Sequence, residues 1–168
     1  MTILVSFPQQ TFNDSLFCIE KIKSLDPKKQ SFEYWKYCAW SIISSVLCME
    51  SYLKGYILDK ITDENKKEQF KNDTPNFIGK IQILQNEFNS KISDYNSKEF
   101  EKIRTAIRLR NDIVHSNKDN IFNDLNLKNA EETLEACREF IKKILSGEGL
   151  DYKTFARWVD KTKSETYD

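Results

Sequence analysis

The chain has 168 residues, of which 39% are hydrophobic and 12% aromatic, and its 26 lysines and arginines balance its 26 acidic residues. This composition is far from that of a disordered protein, and the length suits one domain with a sizeable core. The net charge of zero excludes binding to nucleic acid through overall charge, so any contact with RNA requires a local basic patch. No apolar run approaches the roughly 18 residues that span a membrane, and the N-terminus lacks a basic region followed by an apolar one. We therefore expect a cytoplasmic protein with no membrane partner.

The cysteines and the single histidine limit the metal and redox chemistry that we expect. The cysteines are far apart in sequence, no two form a C-x-x-C pair, and no second histidine accompanies them. Zinc sites need such spacing, so the pattern favours buried free thiols in a reducing compartment, with no metal and no other cofactor. The four positions are Cys18, Cys38, Cys48 and Cys137.

Apolar residues at helical spacing predict the elements of the first part of the chain. We interpret residues 1–10 as an extended lead-in, followed by a helix from Thr11 to Leu25 that ends before Pro27. The longest helical pattern runs from Phe32 to Leu58, and aromatic residues widen its apolar surface beyond one face. Such a helix is central in its bundle or shared between two subunits.

The remainder of the chain continues as helices separated by polar connections. We first predict a polar connection or short helix (Asp59 to Thr74), a helix opened by Pro75 and a loop (Asn89 to Asn96). The next helix begins at Ser97 and is broken at Asn117. After it we predict a strongly periodic helix (Leu127 to Leu145), a shorter helix (Asp151 to Lys163) and a loose tail (164–168). There is no strand pattern. The sequence therefore predicts an all-α, up-and-down bundle of about five to six helices that forms a single domain over residues 1–168.

Arg110 falls near the middle of the apolar face of the helix that begins at Ser97. At 100° per residue, that face gathers Ile103, Ala106, Ile107, Ile113 and Val114. A guanidinium there is costly to bury unless it is paired. Glu50 falls on the apolar stripe of the Phe32–Leu58 helix and is the simplest partner, which predicts that the two helices pack together. An arginine that only lies along the core, and a glutamate at the core edge, are the alternatives.

A polar stripe runs along the same helix beside Arg110. Asn111 and His115 are four residues apart and share a face, which Arg104 and Arg108 continue towards the N-terminus. From Lys98 to Arg110 there are five basic and two acidic residues. Arginines, an amide and an imidazole in one stripe favour binding of an anion, although a solvated helix face gives a similar pattern.

The segment Arg110-Asn111-Asp112-Ile113-Val114-His115 resembles the R-x4–6-H motif of HEPN domains, which are small helical proteins. The residue after the arginine is commonly polar in that family, and Asn111 matches it. HEPN toxins silenced by a nucleotidyltransferase partner often extend the motif to R-x4-H-x-Y, whereas this chain has Ser116 and Asn117 there. The resemblance covers residues 32–146 as an architecture and about six residues as a motif.

The resemblance implies a metal-independent endoribonuclease, as many HEPN domains are. In that family two motifs face each other across a dimer interface and RNA is cut to 2′,3′-cyclic phosphate ends. Carried over, it implies a homodimer that acts on RNA as a toxin or antiviral effector, with an antitoxin or defence-system protein as a further partner. The implied roles of Arg110, Asn111 and His115 are catalytic. To these we add Arg104, Arg108 and Ser116 as substrate-binding candidates and Glu50, the expected partner of Arg110, as a supporting residue.

The residues themselves suit RNA cleavage by its own 2′-hydroxyl. An imidazole can accept or donate a proton near neutral pH, and a fixed guanidinium can stabilise the charge that gathers on the phosphorane oxygens. On a regular helix, however, Arg110 and His115 are about 140° apart. Either a cleft between subunits brings them together, or the helix distorts near Val114.

Two other interpretations remain open at this point. The first is a HEPN-like module in which Arg110, Asn111 and His115 bind RNA or a nucleotide without cutting it. The second is a helical interaction protein in which the Arg110–Glu50 pair is structural and the histidine incidental. In the last case the face that carries Arg110 and His115 is expected to be closed to solvent.

Overall fold

The computed structural model describes residues 6–90, 92, 95–115, 120–147 and 156–166. Over these residues the fold is an all-helical bundle without a strand, as the sequence predicts. Its six α-helices are α1 (Phe7–Ser24), α2 (Ser31–Lys60), α3 (Glu64–Asn72), α4 (Phe77–Glu87), α5 (Glu101–His115) and α6 (Leu127–Gly147). Short 3₁₀ segments cover Lys98–Phe100, Ile121–Asn123 and Arg157–Asp160.

Helix α1 begins earlier than the predicted lead-in over residues 1–10 allows. Its first residue is Phe7, Pro8 lies in its first turn, and the side chain of Ser6 caps it by accepting a hydrogen bond from the backbone N–H of Gln9. Proline is well tolerated in a first helical turn, where its missing N–H has no intrahelical partner to lose. The prediction was therefore wrong from Phe7 onwards, and residues 1–5 lie outside the described residues.

Helix α2 is the central element, in agreement with its wide apolar surface. It packs against α1, α4, α5 and α6, and several of its side chains are completely buried, among them Cys38, Ile42, Leu53 and Ile57. The core continues into α6 through Phe140, Ile141 and neighbouring residues. Because α2 contacts so many other helices, it fixes where their polar side chains lie.

Helix α3 settles an alternative that the sequence left open between residues 59 and 74. Asp63 caps this short helix by accepting a hydrogen bond from the backbone N–H of Lys66 at 3.0 Å. Phe70 is its one buried side chain, so the rest of the helix is solvated. The polar run is therefore a short, largely exposed helix, and its lysines lie on the solvated side.

Residues 164–165 are tied to the bundle, contrary to the predicted loose tail at 164–168, of which residues 167–168 lie outside the described residues. Ser164 donates backbone and hydroxyl hydrogen bonds to Glu20, and Glu165 exchanges hydrogen bonds with Asn13. Upstream, Arg138 donates to the carbonyl oxygens of Val159 and Lys161. The predicted helix from Asp151 to Lys163 lies partly outside the described residues, and its described part is the 3₁₀ segment Arg157–Asp160.

All four cysteines are buried free thiols, as the sequence predicts. Burial raises the pKa of Cys18 to about 11 and that of Cys38 to about 12, because a thiolate would lose its hydration. Burial and the contact with Cys48 also raise the pKa of Cys137. These thiols act as small apolar core residues. Within the described ranges, no helix combines the length and hydrophobicity needed to cross a lipid bilayer.

Candidate functional site

Arg110 and Glu50 form the ion pair that the sequence predicts. Nη2 of Arg110 lies 2.5 Å from Oε1 of Glu50, which joins the middle of α5 to the middle of α2. The two side chains are 23% and 24% exposed, so the pair lies at the core edge with one side open to water. The guanidinium is thereby fixed in direction while part of it still faces solvent.

Two lysines that the sequence analysis overlooked complete this cluster. Lys54 follows Glu50 by one helical turn on α2, and Lys80 comes from the buried face of α4. Lys80 is only 7% exposed, and its charge interacts with those of Glu50, Lys54 and Arg110. The sequence did carry a signal for Lys80, which falls within the apolar pattern formed by Phe77, Ile81 and Leu84.

Burial lowers the pKa of Lys80 from its usual value, because the ammonium loses its hydration. Glu50 acts in the opposite direction, while Lys54 and Arg110 add to the lowering. Glu50 therefore acts on the pKa of Lys80 while it is held in its ion pair with Arg110.

Arg104, predicted to bind substrate, is engaged with the chain just before its own helix. Its Nη1 donates to the carbonyl oxygens of Tyr95 and Ser97, and its guanidinium carbon lies 5.8 Å from the centre of the Tyr95 ring. These contacts hold the turn that leads into α5. The sequence could not show them, because they depend on how residues 95–97 fold back on the helix.

The other predicted polar residues lie on the open side of α5. Arg108 and His115 are exposed and Asn111 is half-buried, so this face is not closed to solvent. The helix is regular through His115, which removes a distortion near Val114 as a way to bring His115 to Arg110. The two side chains therefore lie on separate faces of one chain. Ser116 lies outside the described residues.

Exposed apolar side chains occur on both α5 and α2. Val114, which the sequence places on the apolar face of α5, is 50% exposed, whereas Ile103 and Ala106 on that face are buried. On α2, Trp40 and Leu47 are exposed. Trp35 of the same helix contacts the ring of Phe122, which follows α5 in the chain.

A groove lies between α5 and α6. It has a volume of about 700 Å³ and is lined on the α5 side by residues such as Lys102 and Leu109, and on the α6 side by Glu132, Glu135 and Glu139. None of the predicted catalytic or substrate-binding residues lines it. A second groove of about 380 Å³, between α1 and α6, is also separate from them.

The described side chains of α5 offer anion-binding and acid–base chemistry on two separate faces. Arg110 supplies a guanidinium held by Glu50, and His115 supplies an exposed imidazole on the other face, with the amide of Asn111 on the same stripe. In the described part of the chain, no three histidine, cysteine, aspartate or glutamate residues lie together as metal ligands would. Comparison of the chain with models of known protein families, with curated proteins and with solved structures gives no match.

Proposed function

We propose that the chain is a metal-independent endoribonuclease of the HEPN type, acting as a homodimer in the cytoplasm. The observation that carries this proposal is the combination on α5 of a guanidinium fixed by Glu50 and an exposed imidazole, His115, five residues later. The open face counts against a purely structural role for the pair, for which closure to solvent is expected. The resemblance of Arg110–His115 to the HEPN motif gives the reaction class.

The reaction begins with attack by the 2′-hydroxyl of RNA on the adjacent phosphorus. One imidazole removes the hydroxyl proton, and a second proton donor protonates the departing 5′-oxygen, which leaves a 2′,3′-cyclic phosphate and a 5′-hydroxyl. Arg110 donates hydrogen bonds to the non-bridging oxygens as they gain charge in the phosphorane. Asn111 orients His115 or contacts the phosphate, and Arg108 binds the RNA backbone.

A dimer resolves the separation of Arg110 and His115. Because α5 is regular, one chain presents them about 140° apart and offers one imidazole, whereas the reaction uses both an acid and a base. A two-fold axis beside α5 places Arg110 of one subunit near His115 of the partner subunit and supplies both imidazoles. The exposed Trp40, Leu47 and Val114 provide apolar area for such an interface.

Cleavage is tested with purified protein and RNA on a denaturing gel. We expect wild-type protein to cut, His115→Ala and Arg110→Ala to abolish cutting, and Asn111→Ala to weaken it, since acid–base help alone is worth about 10²–10⁴-fold. A deoxyribose at the scissile nucleotide blocks cutting, because the attacking hydroxyl is absent. Chelators have no effect.

The matched control is Lys66→Met, which removes one positive charge from an exposed position on α3 and is expected to leave cleavage unchanged. Persistent cleavage by pure His115→Ala protein contradicts the mechanism.

A binding module that holds RNA or a nucleotide without cutting is the second candidate. It is favoured by the separation of Arg110 from His115 within one chain, which leaves a lone subunit without an assembled catalytic centre. Wild-type protein that binds RNA but yields no cyclic phosphate ends selects this alternative. A role as a toxin or antiviral effector, with an antitoxin or defence-system partner, belongs to the catalytic proposal.

A further inference from the structure

The groove between α5 and α6 has no role in the proposed cleavage of RNA. Its volume of about 700 Å³ lies within the range of roughly 300–1,000 Å³ that is typical of ligand pockets. Its lining comes from one side of α5, together with the 3₁₀ segment before that helix, and from one side of α6. Arg110 and His115 do not line it, so the groove is a candidate site of its own.

The more buried residues that line this groove are small or apolar. Ala106 and Thr133 are each 4% exposed, and Leu109 is half-buried. The hydroxyl of Thr133 already donates to the carbonyl oxygen of Asn129 at 2.7 Å, and the amide of Asn129 donates to the carbonyl oxygen of Asp124. The inner part of the groove therefore offers apolar contact more than free hydrogen-bonding groups.

Carboxylates dominate the outer part of the same lining. Among the described residues that line the groove, four are glutamates and two are lysines, which leaves an excess of two negative charges. Glu132, Glu135 and Glu139 recur at a spacing of three and four residues on α6, and their side chains are 66%, 53% and 54% exposed. Each forms an ion pair with a basic residue of α5 or α6. Ion pairs this open to water contribute little, so these carboxylates can accept a cation from a partner.

The charge of the groove indicates what would occupy it. Carboxylates repel the phosphates of RNA, so the groove is unsuited to the substrate proposed for the other faces of α5. Lysine or arginine side chains of a protein would meet carboxylates over about 10 Å of α6, from Glu132 to Glu139. Apolar side chains between them would contact Ala106 and Leu109. An amphipathic helix combines both kinds of side chain, and such helices commonly bind in grooves of this kind.

We propose that the groove between α5 and α6 binds a cationic amphipathic segment of a partner protein. Its basic side chains bind Glu101 on the α5 side and Glu132 and Glu139 on the α6 side, while its apolar side chains pack against Leu109 and Ala106. Complementary charge sets the orientation and specificity of such a complex. The faces of α5 that carry Arg110 and His115 stay open when the segment is bound.

The test uses a fluorescein-labelled peptide of leucine and lysine, patterned as an amphipathic helix, and follows binding by fluorescence anisotropy. Wild-type protein is expected to bind this peptide saturably. The same peptide with glutamate in place of lysine, or with serine in place of leucine, is expected to bind at least tenfold more weakly. Failure of the leucine–lysine peptide to bind overturns the proposal. Equal binding of either altered peptide also overturns it, because charge or apolar contact then plays no part.

Charge reversal on each side of the groove locates the binding. Glu101→Lys on α5 and Glu132→Lys on α6 are each expected to weaken binding of the leucine–lysine peptide at least tenfold. Glu64→Lys is the control for the first, because Glu64 and Glu101 both lie in the first turn of their helices. Glu68→Lys is the control for the second, since the Glu68 side chain is 64% exposed and also pairs with a lysine of its own helix. Equal affinities of the groove variants and their controls overturn the proposal.

Light scattering tests whether a second copy of the chain occupies the groove instead. If Glu101→Lys lowers the mass of the assembly while Glu64→Lys does not, the groove is an interface between copies and the proposal is overturned. Circular dichroism shows whether each variant keeps its helices, and Glu132→Lys provides the same test if Glu101→Lys does not fold. Peptide binding in the groove by a protein that cuts no RNA leaves this site standing and removes the ribonuclease.

Discussion

At the scale of single residues, the site depends on the contacts of the Glu50 carboxylate. The carboxylate fixes Arg110 in an ion pair that joins α5 to α2, and it also opposes the lowering of the Lys80 pKa by burial. A partly buried carboxylate in this position stabilises the fold and directs the guanidinium. Its removal leaves the partly buried guanidinium of Arg110 without its carboxylate.

We predict that Glu50→Ala lowers the free energy of unfolding by about 3 kcal/mol, at the low end of the cost of breaking a buried pair because one side is open to water. For a chain of this size, that corresponds to a fall in melting temperature of roughly 6–12 °C. Circular dichroism during heating measures it. The control is Glu139→Ala, which breaks the exposed pair with Lys102 and is expected to cost at most about 0.5 kcal/mol. Equal melting curves for Glu50→Ala and wild type would show that the pair does not stabilise the fold.

At the scale of elements, the pairing of α1 with α2 contains a buried polar contact that sets their register. Oγ of Ser15 lies 2.9 Å from Oγ of Ser41 and 2.7 Å from Oγ of Ser45, and it also donates to the carbonyl oxygen of Ser41. All three serines are fully buried. Small residues let the two helices approach closely, and the contacts of Ser15 with Ser41 and Ser45 depend on this register, although the Ser45 hydroxyl also donates to the carbonyl oxygen of Ser41 within α2.

Ser15→Ala is predicted to cost about 1–2 kcal/mol, because it removes hydrogen bonds shared by two buried hydroxyls on α2. Urea denaturation measures the change. The comparison is Ser146→Ala, where an exposed hydroxyl bonds only within its own helix, and where we expect less than about 0.5 kcal/mol. If the two variants prove equally stable, the buried serines do not contribute to the pairing of the helices.

At the scale of the whole molecule, the side of α2 that the bundle leaves uncovered is the candidate surface for assembly into a dimer. Trp40 and Leu47 are seven residues apart and share one side of the helix, and Glu50 follows one turn later. The exposed apolar side chains therefore lead directly to the ion pair. An interface there would cover them and bring His115 of the partner subunit towards Arg110, and this remains a proposal.

We predict that the wild-type chain is a dimer at micromolar concentration and that Trp40→Glu makes it a monomer that no longer cleaves RNA, because a carboxylate would be buried in the interface. Light scattering gives the mass, and circular dichroism shows that the helices remain. Phe7→Glu is the control: Phe7 is 55% exposed on α1, close to the 54% of Trp40, and we expect that variant to remain an active dimer. A wild-type monomer that still cuts RNA would contradict the composite site.

The sequence by itself determined the helical class, the approximate extents of the long helices and the Arg110–Glu50 pair. It could do so because helical periodicity is local, and because opposite charges on the apolar faces of two helices have few other ways to be satisfied. Tertiary structure decided the partners of Arg104, the hydrogen bonds that hold residues 164–165 on α1, and the depth to which Lys80 is buried. Each of these depends on the distance between segments far apart in the chain. That distance is set by side-chain packing around α2, which helical spacing within one segment does not specify.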